Sequence, residues 1–423
     1  MQNLIKISAA AALTLGLAQP ALADTAETKG GITIKTDDGR FEAKIGGRIH
    51  LDFASLDNDD SPTYSGDGGA YFRRARLTLT GKAYGWEYKF ENDFADAEAA
   101  TACDAADPTD CETVGTNSFR DMYIATSLLG GKVTIGQFKP LRGMEEMTSS
   151  NEVTMVERPF ASASGLFSGR QFAIGTKYEG KTESMTYGIA LQNNSVLKGG
   201  DSRVTEEPVI SGRVTFAPVN TDTTTVHLGA SLSMENGSST GARLRGRGKL
   251  PATDLGTSRT LAEAGAAGPD KDASHIGLEV GASTGPFYAQ AEYIQASYSD
   301  AFDPGTGPED ADVVAYYLMA SFMLTGEHKP YSSGVFKSPK PKGENGALEL
   351  KARYDSAENK DQPTTATNQR EISVLTVGAN WYLNPNLRFM LEYSMGEDNT
   401  VADTPSGGNP EPKAVTLRTQ FSF

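Results

Sequence analysis

Sixteen segments of about ten residues, each alternating apolar and polar side chains, constrain this chain more than any other feature of its sequence. Alternation places successive side chains on opposite faces of an extended strand. At the C-terminus Val415, Leu417, Thr419, Phe421 and Phe423 share one face, and Thr416, Arg418, Gln420 and Ser422 share the other. Trp86, Tyr88, Phe90 and Phe94 alternate with Glu87, Lys89, Glu91 and Asp93. Phe41, Ala43, Ile45, Ile49, Leu51 and Phe53 are set against Glu42, Lys44, Arg48, His50 and Asp52. The segments fall near 41–54, 71–83, 86–96, 118–128, 132–137, 170–179, 185–192, 207–217, 224–233, 274–283, 286–299, 313–324, 346–355, 372–383, 386–395 and 414–423.

The connections alternate short and long. Tyr84-Gly85, Leu129 to Gly131, Gly180 to Ser184, Pro218 to Thr223, Thr284-Gly285 and Asn384-Pro385 read as tight turns. Long loops fall at 55–70, 97–117, 138–169, 193–206, 234–273, 300–312, 356–371 and 396–413. An even number of strands with short turns at one end and long loops at the other is the topology of an outer-membrane barrel. A soluble sandwich also alternates, but it does not predict this rhythm. Nor does it predict a polar face dense in charges of both signs, with aromatic residues near the strand ends. The expected fold is all-β, a 16-stranded antiparallel transmembrane β-barrel over 41–423 with long external loops. Sixteen strands leave an aqueous channel, where eight would be filled by their own side chains. A lumen lined by Lys, Arg, Glu and Asp would be hydrated and conductive. One connection, 325–345, breaks the rhythm: it should be a short turn and is long.

The N-terminus places this barrel outside the cytoplasm. Lys6, the apolar run from Ile7 to Ala18 and Ala21-Leu22-Ala23 read as a secretory signal peptide over 1–23, followed by a short periplasmic segment over 24–40. Nothing after it approaches eighteen consecutive apolar residues, and the mean hydropathy is -0.39, which excludes a helical membrane protein but not a barrel. Cys103 and Cys111 lie in an acidic stretch; export through the oxidising periplasm favours one disulfide loop between them over two surface thiols. No histidine lies near this pair to suggest a metal site, and the sequence calls for no cofactor.

Four stretches carry a family resemblance. Gly136 to Arg170, GQFKPLRGMEEMTSSNEVTMVERPFASASGLFSGR, is similar to the third-loop signature of the phosphate-selective porins O and P. YFRRARLTLTG at Tyr71 to Gly81, followed by WEYKFENDF, TGEHKPY at Thr325 to Tyr331 and WYLNPNLRFMLEY at Trp381 to Tyr393 resemble the same family. The resemblance implies a homotrimer of 16-stranded outer-membrane barrels whose third loop, 138–169, folds into the lumen. It also implies a narrow zone where arginines and a lysine bind an anion; matched here, these are Arg48, Arg73, Arg74 and Lys139. The chemistry agrees, since guanidinium forks bind phosphate oxygens bidentately and several moderate contacts suit a selective channel. Alternation puts Arg74 and Arg76 on the lumen side and Arg73 on the other. Both Arg73 and Arg74 reach the lumen only if the strand bulges or Arg73 lies at a rim.

Charge complicates the anion reading. Without Lys6 the formal charge of -15 becomes -16; the eight long loops hold about -18 of it, which leaves about +2 for everything else. The acidity is external, and acidic loops such as Asp57-Asn58-Asp59-Asp60 would sit among lipopolysaccharide phosphates. The lumen is mixed rather than strongly basic. The over-long connection carries Lys329, Lys337, Lys340 and Lys342, read either as a periplasmic relay for anions or as a soluble basic turn.

Apparent enzyme motifs do not fit their context. GTKYEGKT at Gly175 to Thr182 fits a phosphate loop but runs into a strand, not a helix. Gly237 to Gly241 and Gly281 to Gly285 fit G-x-S-x-G, yet precede a loop and a hairpin. None of His50, His227, His275 and His328 has a serine or acid partner evident from spacing. The sequence therefore predicts a passive anion-preferring porin for phosphate or related anions (pyrophosphate, chloride) in a Gram-negative outer membrane, with no nucleic-acid partner. The alternatives are a general-diffusion or cation-preferring porin on the same scaffold and, further off, an outer-membrane enzyme or a non-conducting barrel.

Overall fold

A computed structural model describes residues 23–27, 31–57, 68–95, 100–103, 111–114, 118–163, 172–193, 208–235, 243–244, 259–260, 272–302, 309–359, 371–399 and 408–423. Sixteen antiparallel strands form the barrel: β1 (Phe41–Asp57), β2 (Gly68–Ala83), β3 (Trp86–Asp93), β4 (Ser118–Leu128), β5 (Gly131–Phe138), β6 (Ala173–Lys181), β7 (Met185–Asn193), β8 (Pro208–Asn220), β9 (Thr224–Glu235), β10 (Ala273–Thr284), β11 (Phe287–Phe302), β12 (Glu309–Met323), β13 (Ala347–Asn359), β14 (Glu371–Tyr382), β15 (Leu387–Asp398) and β16 (Lys413–Ser422). Each pairs with its sequence neighbours, and β16 closes on β1 from Lys413 opposite Asp57 to Ser422 opposite Arg48. All sixteen alternating segments are strands. Their ends differ from the sequence reading by a few residues, as in β2 and β12, because ladder pairing continues past the point where alternation fades.

The side-chain distribution is inverted relative to a soluble protein. In β16, Arg418 is fully buried while Leu417 and Phe421 are 40% and 42% exposed. Leu350, Leu391, Ile276 and Leu278 are exposed in the same way, whereas Lys351, Glu392, His275 and Glu279 beside them are buried. An apolar belt outside and a polar face inside is what a lipid-spanning barrel requires.

Two of the short turns show their physical cause in the backbone. Tyr84-Gly85 joins β2 to β3 and Leu129-Gly130 joins β4 to β5, with positive φ at all four residues (49°, 84°, 52° and 77°). That pair of left-handed residues is the type I′ geometry whose twist matches the strands it connects. The C-terminal residue is bound into the seam between first and last strands: Gly47 N–H donates to the Phe423 carbonyl at 2.9 Å, and Phe423 N–H returns to Gly47 at 3.1 Å. A side chain at Gly47 would collide with the Phe423 ring and the Arg76 carbonyl.

Within the segment 24–40, Ile32–Thr36 pairs with the start of β1, and Ala23–Glu27 pairs with Ile32–Thr36. Residues 1–22 of the expected signal peptide, and most of the long loops, lie outside the described residues. The connection 325–345 folds back against the polar face, burying Val335 and Phe336. There they join Met144, Met155, Tyr288, Ile294, Tyr317 and Met319 in an apolar cluster. The interior is therefore not evenly hydrated; this part of it is packed. Cys103 and Cys111, in the hairpin of Ala100–Cys103 with Cys111–Val114, are direct register partners.

Candidate functional site

The third loop leaves β5 at Phe138 and contains two single-turn helices, α1 (Met144–Met147) and α2 (Phe160–Ala163). Irregular backbone leaves many N–H and C=O groups without intrinsic partners. Polar-face side chains of the barrel supply them. Glu292 of β11 accepts from the Met144 and Glu145 amides at 2.8 and 2.7 Å, Glu392 of β15 from Val156 at 2.7 Å, and Asp355 of β13 from Phe160 at 2.9 and 3.1 Å. In return Lys351 and Asn380 donate to the Thr154 carbonyl, Arg388 to Val153 and Arg353 to Glu157. A hydrogen bond to a charged side chain contributes about 1.5–3 kcal/mol where it forms, and a neutral one such as that of Asn380 about 0.5–1.5 kcal/mol. The loop backbone from 144 to 160 is therefore held from several strands at once.

The cationic candidates gather where this loop meets β1 and β2. The register between these strands shifts between His50 and Leu51: His50 pairs with Arg74 and Leu51 with Phe72, which leaves Arg73 as the extra residue of a bulge. An extra residue re-aims its side chain. Arg73 consequently reaches inward to Glu157, with Nε–Oε1 2.7 Å and Nη2–Oε2 3.0 Å, on the same side as Arg74. The strand bulge foreseen as a condition for both arginines is present.

Each candidate has a defined set of partners. Arg48 donates to Glu91 at 2.9 Å and to the Ser150 hydroxyl at 2.9 Å, with Ser149 at 3.4 Å. Arg74 makes a 3.3 Å contact with His50 Nδ1 and lies 4.0 Å from Glu157, and its Nε has no hydrogen-bond partner among the described residues. Lys139 donates to the Glu146 carbonyl at 2.6 Å, lies 3.4 Å from that residue's carboxylate and sits over the Phe172 ring. The pairing acids for Arg48 and Arg74 are thus Glu91 and Glu157; Asp52 is taken by Arg418, whose fork meets both its oxygens at 2.6 Å.

Electrostatics follow from these contacts. Burial pushes the Lys139 ammonium down to about 7; Glu146 opposes that shift, and Arg158 adds to it. Burial alone would raise Glu157, but Arg73, Arg418 and Arg74 outweigh it and hold the carboxyl well below its usual range. Two ion-pair networks result. Arg48, Arg76, Lys89 and Arg120 share Glu91, Asp93 and Asp121, and Arg73, Arg74 and Arg418 share Glu157 and Asp52. Among the described residues that is seven cations against four carboxylates on the wall formed by β1 to β4 and β16, with Glu157 of the loop as a fifth.

Alternation placed Arg76, Arg418, Glu91 and Asp52 on the polar face but gave no reason to single them out. Glu157 sits in a loop without periodicity, and no sequence signal marks it.

The four lysines of 325–345 do not form one cluster. Lys329 is buried, with its ammonium 2.9 Å from both Glu349 and the Thr154 hydroxyl and over the Tyr288 ring. Of the four lysines read as a candidate periplasmic relay, Lys329 is thus the one whose ammonium is buried and ion-paired. Lys337 is half-buried, while exposed Lys340 and Lys342 border a cavity of about 410 Å³ with His328, Tyr331, Asp222 and Glu327. The segment also touches the third loop, through Ser338 to Glu152 and to the Asn151 carbonyl.

The rejected motifs resolve in the same way. GTKYEGKT runs from β6 into the β6–β7 hairpin. Ser283 does contact His328 Nδ1 at 3.0 Å, a pair that spacing did not reveal. It lies on a strand before a hairpin, and among the described residues no carboxylate hydrogen-bonds His328.

Comparison with known proteins agrees with this architecture. Residues 43–423 match the family model described as phosphate-selective porin O and P. Porin O of Pseudomonas aeruginosa is 28% identical over 447 aligned positions, which cover 98% of each chain. Among solved structures, the trimer form of OmpT from Vibrio cholerae superposes with a TM-score of 0.55 at 12% identity, covering 90% of this chain and 99% of that one. An anion-selective porin from Comamonas acidovorans superposes at 0.54 with 15% identity, covering 90% of this chain and 100% of that one.

Proposed function

Because the chain belongs to the phosphate-selective porin O and P family, and is thus an outer-membrane porin of a Gram-negative bacterium and a channel rather than an enzyme, we propose that it passes small anions, phosphate among them, through a constriction between the third loop and the β1–β2–β16 wall. The observation that carries this reading is Arg74. It is a buried cation whose Nε has no hydrogen-bond partner and which has no carboxylate within hydrogen-bond distance among the described residues, and it shares Glu157, 4.0 Å away, with Arg73 and Arg418. A guanidinium has five N–H donors in a fixed fork, and a buried group with donors to spare favours an anion with several acceptor oxygens. The wall's excess of cations over carboxylates supports the same sign.

In this reading Arg48, with Ser149 and Ser150, Arg73, Arg74 and Lys139 form successive contacts for the passing anion. Lys340 and Lys342 act at the periplasmic exit, without Lys329. The trimer of one OmpT structure and the anion selectivity of the Comamonas porin support a trimeric anion channel here. The pairing of Arg48, Arg73 and Lys139 with Glu91, Glu157 and Glu146 favours the second reading, a weakly selective general porin. The reversal potential of the reconstituted channel under a KCl gradient separates them. A chloride-favouring potential supports the proposal, and a potential of the potassium sign refutes it.

A further inference from the structure

Resting on the anion-channel reading, we infer that Glu157 is a built-in counter-anion: its carboxylate occupies the arginine site that a mobile oxyanion would otherwise take, and so determines how weakly the channel holds its solute. The geometry is that of a bound oxyanion. Both Glu157 oxygens meet the Arg73 fork, at 2.7 and 3.0 Å, the bidentate arrangement by which arginine also holds phosphate. Oε1 is shared with Arg418 at 2.7 Å, and Arg74 stands 4.0 Å away. Three guanidiniums from β2 and β16 therefore converge on one carboxylate carried by the loop.

The tether gives this carboxylate its effect. Val156 N–H is fixed by Glu392 and the Glu157 carbonyl by Arg353 at 2.7 Å, so the side chain is presented to the arginines at a high effective concentration. A solute must displace it or share with it. The site is not sealed, because the Arg73 side chain is 13% exposed. A channel gains from such a competitor: binding must favour entry yet be weak enough for exit. Neutralising Glu157 would remove the carboxylate that Arg73, Arg74 and Arg418 share and leave Asp52 paired with Arg418.

The test is the block of chloride current by inorganic phosphate and by sulfate in single E157Q channels, each normalised to its own oxyanion-free current. Competition predicts a half-blocking concentration about tenfold lower than in wild type for both oxyanions, the effect of freeing one charge-assisted contact. An unchanged or higher half-block overturns the inference, including the case where only noise and chloride conductance change, as for a loop rivet. E157D keeps the charge but draws the carboxylate back, and should fall between the two. If E157Q does not assemble, E157D decides alone, by a lowered or an unchanged half-block. E157Q/R73Q restores the charge balance and should return to the wild-type value. Wild type without anion preference would remove the anion-selective reading alone, since a block acquired by E157Q would still identify Glu157 as the competitor. Absence of block in both removes the inference as well.

Discussion

Replacing Arg418 by glutamine should destabilise the barrel more than any change among the sequence-predicted arginines. Arg418 is fully buried at the seam where β16 meets β1; it forks onto Asp52 at 2.6 Å twice, reaches Glu157 at 2.7 Å and donates to the Val156 carbonyl. Glu157 keeps Arg73 when Arg418 is lost, but Asp52 keeps no cation among its described ion pairs. Removing one partner of a buried pair costs about 3–5 kcal/mol, because the remaining charge is left in a site that cannot solvate it. Removing both charges costs much less, so D52N/R418Q should recover most of the loss, and the difference measures the coupling. Trp86 and Trp381 are both partly exposed on the apolar belt, so their fluorescence reports barrel unfolding in urea from lipid vesicles. A loss below about 1 kcal/mol for R418Q, or a double variant no more stable than R418Q, would refute the account of this pair.

Other expectations follow from the same contacts. Arg74→Gln strands no carboxylate and should leave urea stability near wild type, while raising the half-block by phosphate about tenfold; strong destabilisation would place Arg74 in the framework instead. Lys139, held at about 7, is a cation below that pH and neutral above it. Chloride preference should therefore fall as pH rises through 7, and K139Q should abolish the step; a step that survives K139Q must come from another group. Cys103 and Cys111, register partners in a short hairpin, should resist maleimide labelling until the exported protein is reduced. Labelling without reductant would show two free thiols.

The barrel was legible because its rule is local. Period two writes each strand's faces into its own ten residues, and Leu417 outward with Arg418 inward needs no knowledge of any other strand. What escaped was whatever depends on two distant segments. The bulge at Arg73 is set by register against His50, which the β2 sequence does not contain. The grip of Glu292, Glu392 and Asp355 on the third loop joins residues about 150 to 240 positions apart. In 325–345 the lysines drew attention, while Val335 and Phe336, the apolar pair that carries the segment inward, were the informative residues. The candidate cations were found from the family resemblance; their partners, above all Glu157, were not, because a loop carboxylate has no periodicity to betray it.

Titration of inorganic phosphate against the chloride current of single wild-type channels in a planar bilayer tests the central claim most directly. An oxyanion site at Arg73, Arg74 and Arg418 predicts concentration-dependent block that saturates at millimolar phosphate or below, in a channel that already prefers chloride to potassium. A channel that prefers potassium and carries undiminished current through the same titration would contradict it.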